Sequence, residues 1–117
     1  MNETAHDALA LLATEWFKAS RRALRLAAEA APARVERERS QILYSTRRVG
    51  EALASHGMRY REYSGEPYSP GIPAEPVNPE DFETEEGLCV VETVEPTVLH
   101  EGRILLRGKV VLGRGAA

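Results

Sequence analysis

Apolar residues recur at Ala5, Leu9, Leu12, Trp16, Ala19, Ala23, Leu26 and Ala30, alternately four and three apart. That spacing predicts a helix over residues 4–31 with an a/d seam running its whole length. Thr4 followed by Asp7 offers a capping-box-like start, with Asp where Glu or Gln is usual. Half of the seam is alanine, so helices could approach closely there but would bury little area per layer. At ~0.8 kcal/mol per buried methylene, such a seam is weak unless it meets several helices at once. The helix is therefore expected to be one member of a bundle.

Ala31-Pro32-Ala33 interrupts the pattern, and a proline there marks either a corner or a fresh helix start. A second helix over 33–56 follows, with Val35, Ile42 and Val49 seven apart and Leu43, Ala52 and Leu53 broadening the stripe. Gly57 suits a C′ stop, and His56 in the last turn complements the helix dipole. The pattern leaves open whether the two helices form a hairpin or one bent rod.

Beyond Met58 the period changes. Met58, Tyr60 and Tyr63 suggest a short extended segment, after which seven Gly and Pro residues between Gly65 and Pro79 argue against regular structure. Tyr68 is expected to pin this loop by burying its ring. Strands are predicted at Leu88–Val94, Arg103–Leu106 and Lys109–Leu112, with Glu95-Pro96 and Glu101-Gly102 as turns. Helices first and a small all-β module after them make an α+β chain, divided into a helical dimerisation region (1–57) and a β-module (58–117).

Apolar residues form 43% of the chain, yet only seven are aromatic, so the core must be built from Ala, Leu and Val. The net charge of −3 hides an asymmetry of about +2 over residues 1–57 and −5 over 58–117. Eight acids and no Lys or Arg lie between Glu75 and Glu95, which argues against wrapping a polyphosphate backbone. The lone Cys89 sits in an apolar run and reads as a buried small hydrophobe. No apolar stretch approaches a membrane span and no signal-peptide core opens the chain, so a cytoplasmic protein is expected.

Candidate chemistry is sparse. His6, His56 and His100 fall in separate elements without metal-ligand or catalytic spacing, which leaves surface or capping roles. The acids at Glu80, Asp81, Glu83, Glu85 and Glu86 lack the alternation of a calcium loop and read as a solvated linker. The Gly- and Arg-rich segment 97–115 has neither GxxxxGK[ST] nor GxGxxG, so it is no phosphate cradle. Lys18, Arg21, Arg22 and Arg25 spread over one broad helix face, most simply the solvated outside of a bundle; binding nucleic acid through them is the remoter reading. No metal or cofactor is expected, and no enzyme.

Three short blocks, taken in order, carry a resemblance. "LASHG" (53–57) closes a helix before a strand, "GEPYSP" (65–70) makes a Gly-x-x-aromatic-x-Pro turn, and "LHEGRILLRGKVVLG" (99–113) makes a closing hairpin. Together, residues 49–112 resemble the C-terminal part of the GrpE family, the nucleotide exchange factors of DnaK-type chaperones. Ser69 and Pro73 depart from the family's Asp and His, the hairpin turn carries an extra residue, and most of the long N-terminal coiled coil is missing. The resemblance implies a homodimer through a four-helix bundle and a β-module that wedges into the ATPase domain of a DnaK-like chaperone. A dimeric adaptor of the same fold without exchange activity is the alternative.

Site residues follow from this. Leu9, Leu12, Trp16, Ala19, Ala23 and Leu26 of the seam, with Ile42 and Val49, are the expected dimer interface. Leu99, His100 and Arg103 at the hairpin turn are the expected partner contacts. Alternation puts Ile104, Leu106, Val110 and Leu112 into the module's core and leaves Arg103, Arg107 and Lys109 outward, for an acidic partner or merely to blunt a sheet edge.

Overall fold

The computed structural model describes residues 3–114; Met1, Asn2 and residues 115–117, the outer ends of the two expected regions, lie outside the described residues. Helix α1 (Glu3–Ala27) and helix α2 (Pro32–Ala54) pack side by side as a hairpin. Six strands follow: β1 (Met58–Arg61), β2 (Ala74–Pro76), β3 (Leu88–Glu95), β4 (Thr97–His100), β5 (Arg103–Leu106) and β6 (Gly108–Arg114). They form two three-stranded sheets, one ordered β1-β4-β5 and the other β2-β6-β3. The α+β order of elements is as the sequence predicts.

Pro32 decides the helical hairpin. It holds Ala31 at ψ 139°, outside helical space, and occupies the first turn of α2, where its missing N–H costs nothing. α1 must therefore stop early, at Ala27 and not at 31, with Ala28, Glu29 and Ala30 folding back in a turn. Thr4 lies inside α1 and so is not its N-cap. At the far end α2 stops at Ala54, short of 56, and Gly57 turns the chain at φ +71°.

The face of α1 that meets the β-module is not the seam. Ala10, Ala13, Thr14, Phe17, Ser20 and Ala27 are buried, and Ala10 and Ala13 join Leu53, Met58 and Val98 in one core cluster. Small side chains let the helix lie close on the sheet, while Phe17 reaches over to meet Tyr60 edge-on at 6.0 Å. The buried hydroxyls of Thr14 and Ser20 donate to the carbonyls of Ala10 and Phe17 on their own helix. The second cluster lies inside the β-module and joins Tyr63, Ala74, Leu88, Val90, Val110 and Leu112. Tyr68 packs against it, only partly buried, beside Ile72 and Phe82.

Two strands are found where none was expected. β4 lies between two turn pairs and escapes notice for its shortness, although Thr97 and Val98 are β-branched. β2 occupies three residues of the Pro-rich stretch and pairs in parallel with β6. Asn78 then prolongs that edge with its side chain: its Nδ2 donates to the Leu112 carbonyl and its Oδ1 accepts from the Leu112 N–H, both at 3.0 Å. Cys89 is half-buried and not fully enclosed.

The two sheets are tied at Thr97. Its buried hydroxyl donates to the Pro73 carbonyl at 2.7 Å and accepts from the Tyr63 hydroxyl at 2.7 Å and the Gly108 N–H at 3.2 Å. Gly108 permits this approach, because a Cβ there would stand 2.8 Å from the Glu95 carbonyl oxygen and 2.9 Å from Thr97 Oγ1. Thr97→Val keeps the shape and removes the hydroxyl, so it is expected to cost ~2–3 kcal/mol, chiefly by orphaning the Tyr63 O–H. Adding Tyr63→Phe should return part of that loss. Urea denaturation of the wild type, both single variants and the double variant measures the coupling; additive losses would show that the hydroxyls act independently.

Candidate interaction surfaces

The β4–β5 hairpin turns through Glu101 (φ 49°) and Gly102 (φ 82°), both left-handed, which is the two-residue turn whose twist matches the flanking strands. It carries the residues expected to meet a partner, but not as a group. Leu99 is buried, 8% exposed, and belongs to the core. His100 is half-buried with its ring stacked on His6 of α1, centroids 4.0 Å apart. Arg103 is exposed, and its side chain has no hydrogen bond or ion pair among the described residues. Arg107 and Lys109 are exposed and stand 3.8 Å from Glu75 and Glu95 respectively.

The expected alternation fails on β5 itself. Val98 opposes Leu106 and Leu99 opposes Ile104, so Leu105 is an extra residue with no counterpart on β4. This bulge reverses the assignment: Leu105 packs against the helical cluster, whereas Ile104 and Leu106 are 47% and 41% exposed. On β6 the alternation holds, with Val110 and Leu112 buried. Residues 104–106 thus alternate in the opposite phase to the expected one, and a run of three aliphatics gives no sign of which phase faces the core.

The second surface is helical. Leu9, Leu12, Ala13, Trp16, Ala19, Val49, Ala52 and Leu53 line an apolar groove of about 560 Å³ between α1 and α2. Of the expected dimer residues, Leu12 (64% exposed), Leu26 (62%) and Ala19 face outward, and Leu9, Trp16, Ala23, Ile42 and Val49 are half-buried. Trp16 Nε1 donates to Thr46 Oγ1 at 3.2 Å, which aims the indole across the hairpin.

The basic cluster of α1 corrects another expectation. Arg22 and Arg25 are exposed as expected, but Lys18, Arg21 and Arg25 also reach across to β3. Lys18 lies 2.8 Å from Glu15 and 3.3 Å from Glu95, Arg21 donates to the Thr93 carbonyl at 2.7 Å, and Arg25 stands 3.7 Å from Glu92. The hydrogen bond to Glu15, then that to Glu95, holds the Lys18 ammonium above its ordinary range. The partners on β3 lie far away in the chain, 77 residues from Lys18 to Glu95 and 72 from Arg21 to Thr93, beyond the reach of local pattern.

The His6–His100 contact likewise joins two histidines that spacing kept apart. The two rings are tilted 34° to each other, a face contact between side chains of α1 and β4. Among the described residues no group of three or more His, Cys, Asp or Glu could hold a metal ion, and no helix is long and apolar enough to cross a membrane.

The chain matches no family model, no curated protein and no solved structure.

The geometry divides the expected partner residues into structural and free ones. Leu99→Ala should cost ~2–5 kcal/mol of stability, as truncation of a buried leucine does. Arg103→Ala should stay within about 0.5 kcal/mol of the wild type. Chemical denaturation checks both; comparable losses would make Arg103 part of the fold.

Proposed function

We propose that this chain is a small GrpE-like exchange factor that dimerises through its helices and binds the ATPase domain of a DnaK-type chaperone through its β-module. The observation that carries this reading is the orientation of its surfaces. α1 docks on the β-module with a small-residue face, which leaves the apolar groove at Leu12, Trp16 and Ala19 uncovered and the β4–β5 hairpin free to meet a partner. The motif order from "LASHG" to "LHEGRILLRGKVVLG" points the same way.

The mechanism is differential binding. A module that prefers the open cleft of the ATPase weakens nucleotide binding by the factor by which nucleotide weakens the module's own binding. A factor of 10²–10³ needs only ~3–4 kcal/mol of differential contact, within reach of a few anchors. Arg103 is the best placed of these, since a free guanidinium can pair bidentately with a carboxylate.

Release of labelled ADP from a DnaK-type ATPase should accelerate when the chain is added. Arg103→Ala should weaken the interaction at least ~30-fold, the size of a lost charged hydrogen-bond partner. Binding without faster release would give the non-exchanging adaptor, and no binding at all would end the chaperone reading.

Dimerisation has its own test. Leu12→Glu alters a side chain that is 64% exposed in the single chain, so the fold should survive. Sedimentation equilibrium should give twice the chain mass for the wild type and the chain mass for the variant. An unchanged dimer in Leu12→Glu would move the interface off the groove.

A further inference from the structure

Three strand edges receive no hydrogen bond from another described segment: those of β1, β2 and β5. The outer edge of β3 is covered, because Gly65 and Tyr68 donate to the Val90 and Leu88 carbonyls and Val90 donates back to Glu66. Two of the bare edges carry familiar protection. β1 presents the exposed Arg59 and Arg61, and β2 is three residues long, preceded by Pro73 and ended by Pro76. β5, four residues long, carries one such charge, Arg103 at its start, and no proline. Ile104 and Leu106 are exposed on it, and a bare apolar edge is a template for strand addition.

The ends of β5 decide what can be added. Arg103 and Arg107 bracket the strand, both exposed. In a second copy paired antiparallel about Leu105, Arg103 of each chain would face Arg107 of the other; a parallel pairing in register would face like with like. Like charges directly opposite are destabilising, so the brackets oppose self-pairing in both senses. They favour a foreign strand with an acid at each end. The Arg107–Glu75 contact is long and solvent-exposed, so Arg107 can exchange it for an incoming carboxylate. The bulge at Leu105 increases the local twist and limits the added strand to a few residues.

We infer that β5 is a docking edge that takes up a short extended segment of another protein, aliphatic in its middle and acidic at both ends. The inference rests on reading the β-module as the partner-binding half of the chain. It specifies the chemistry of the partner's surface there and adds main-chain pairing to the contact of Arg103.

The test uses the full chain and a capped synthetic pentapeptide with Glu at both ends and three valines between. Amide resonances of Arg103–Arg107 should shift and saturate with this peptide, with affinity at least ~10-fold higher than for the same peptide ended by Lys. N-methylation of alternate peptide amides should abolish binding, because it removes the ladder donors and leaves the side chains. R103E/R107E should reverse the preference in favour of the Lys-ended peptide. If the double variant loses stability, Arg103→Glu alone carries the test, since that side chain has no partner to lose among the described residues. Absence of a saturating shift on β5, equal affinity for the two peptides, or indifference to N-methylation overturns the inference. ADP release that persists undiminished in R103E/R107E would sink this edge and leave the exchange reading standing. A clear peptide preference without any ADP release would do the reverse.

Discussion

The buried hydroxyl of Thr97 is the constraint on which the rest of the β-module depends. A hydroxyl offers one donor and two acceptor sites, and here all three are used: Pro73 accepts, Tyr63 and Gly108 donate. The partners come from just beyond β1, the approach to β2 and the start of β6, so one atom ties both sheets together. Its neighbour Thr93 does a lesser version of the same work, accepting the Tyr63 N–H at 2.9 Å while its own N–H is paired to Ser64 Oγ at 3.2 Å. Such a network leaves no room for alternatives. An apolar residue at 97 would orphan a buried group, and a side chain at 108 would push into the β3–β4 backbone.

The helical half is held to this frame by burial more than by charge. Lys18, Arg21 and Arg25 reach β3, but the pairs at Lys18 and Arg25 are solvent-exposed, and water screens such pairs. Ala10, Ala13 and Phe17 against Met58, Tyr60 and Val98 supply the apolar contact, and the cations fix its orientation. Arg21 does both, lying 5.3 Å over the Phe17 ring while donating to the Thr93 carbonyl. α1 is thus amphipathic twice over, with a small-residue face used within the chain and a larger seam left uncovered.

Much of this was legible in the sequence, and what was not has physical reasons. Heptad spacing marked both helices, Pro32 and Gly57 marked their limits to within a few residues, and Glu101-Gly102 marked the hairpin turn. The heptad reading also found the outward-facing Leu12, Ala19 and Leu26, but it could not see the docking face, because Ala10 and Ala13 carry almost no hydrophobic signal. The salt links from α1 to β3, the His6–His100 stack and the Thr97 node join residues far apart in sequence, and only the fold brings them together. Ile104 and Leu106 are misplaced by phase: residues 104–106 do alternate, but it is Leu105 that turns inward, and composition does not say which phase of an all-aliphatic run faces the core. Leu99 is misplaced for a related reason: with β4 unrecognised, Leu99 falls to the hairpin turn instead of to a strand.

That last error bears on how the module could work. Had Leu99 and His100 been exposed at a flexible tip, the hairpin could yield to whatever it touched. Instead Leu99 is buried, His100 is stacked on α1, and Thr97 at the root of β4 is locked to both sheets. A binding element that acts by preferring one state of its partner must hold its own shape in both states, or the differential contact dissipates into its own deformation. The rigidity of β4 therefore matters to the proposed exchange as much as any contact residue. It also explains why the free groups, Arg103, Ile104 and Leu106, are confined to β5: that strand hangs on β4 by one edge and can offer the other without loosening the core.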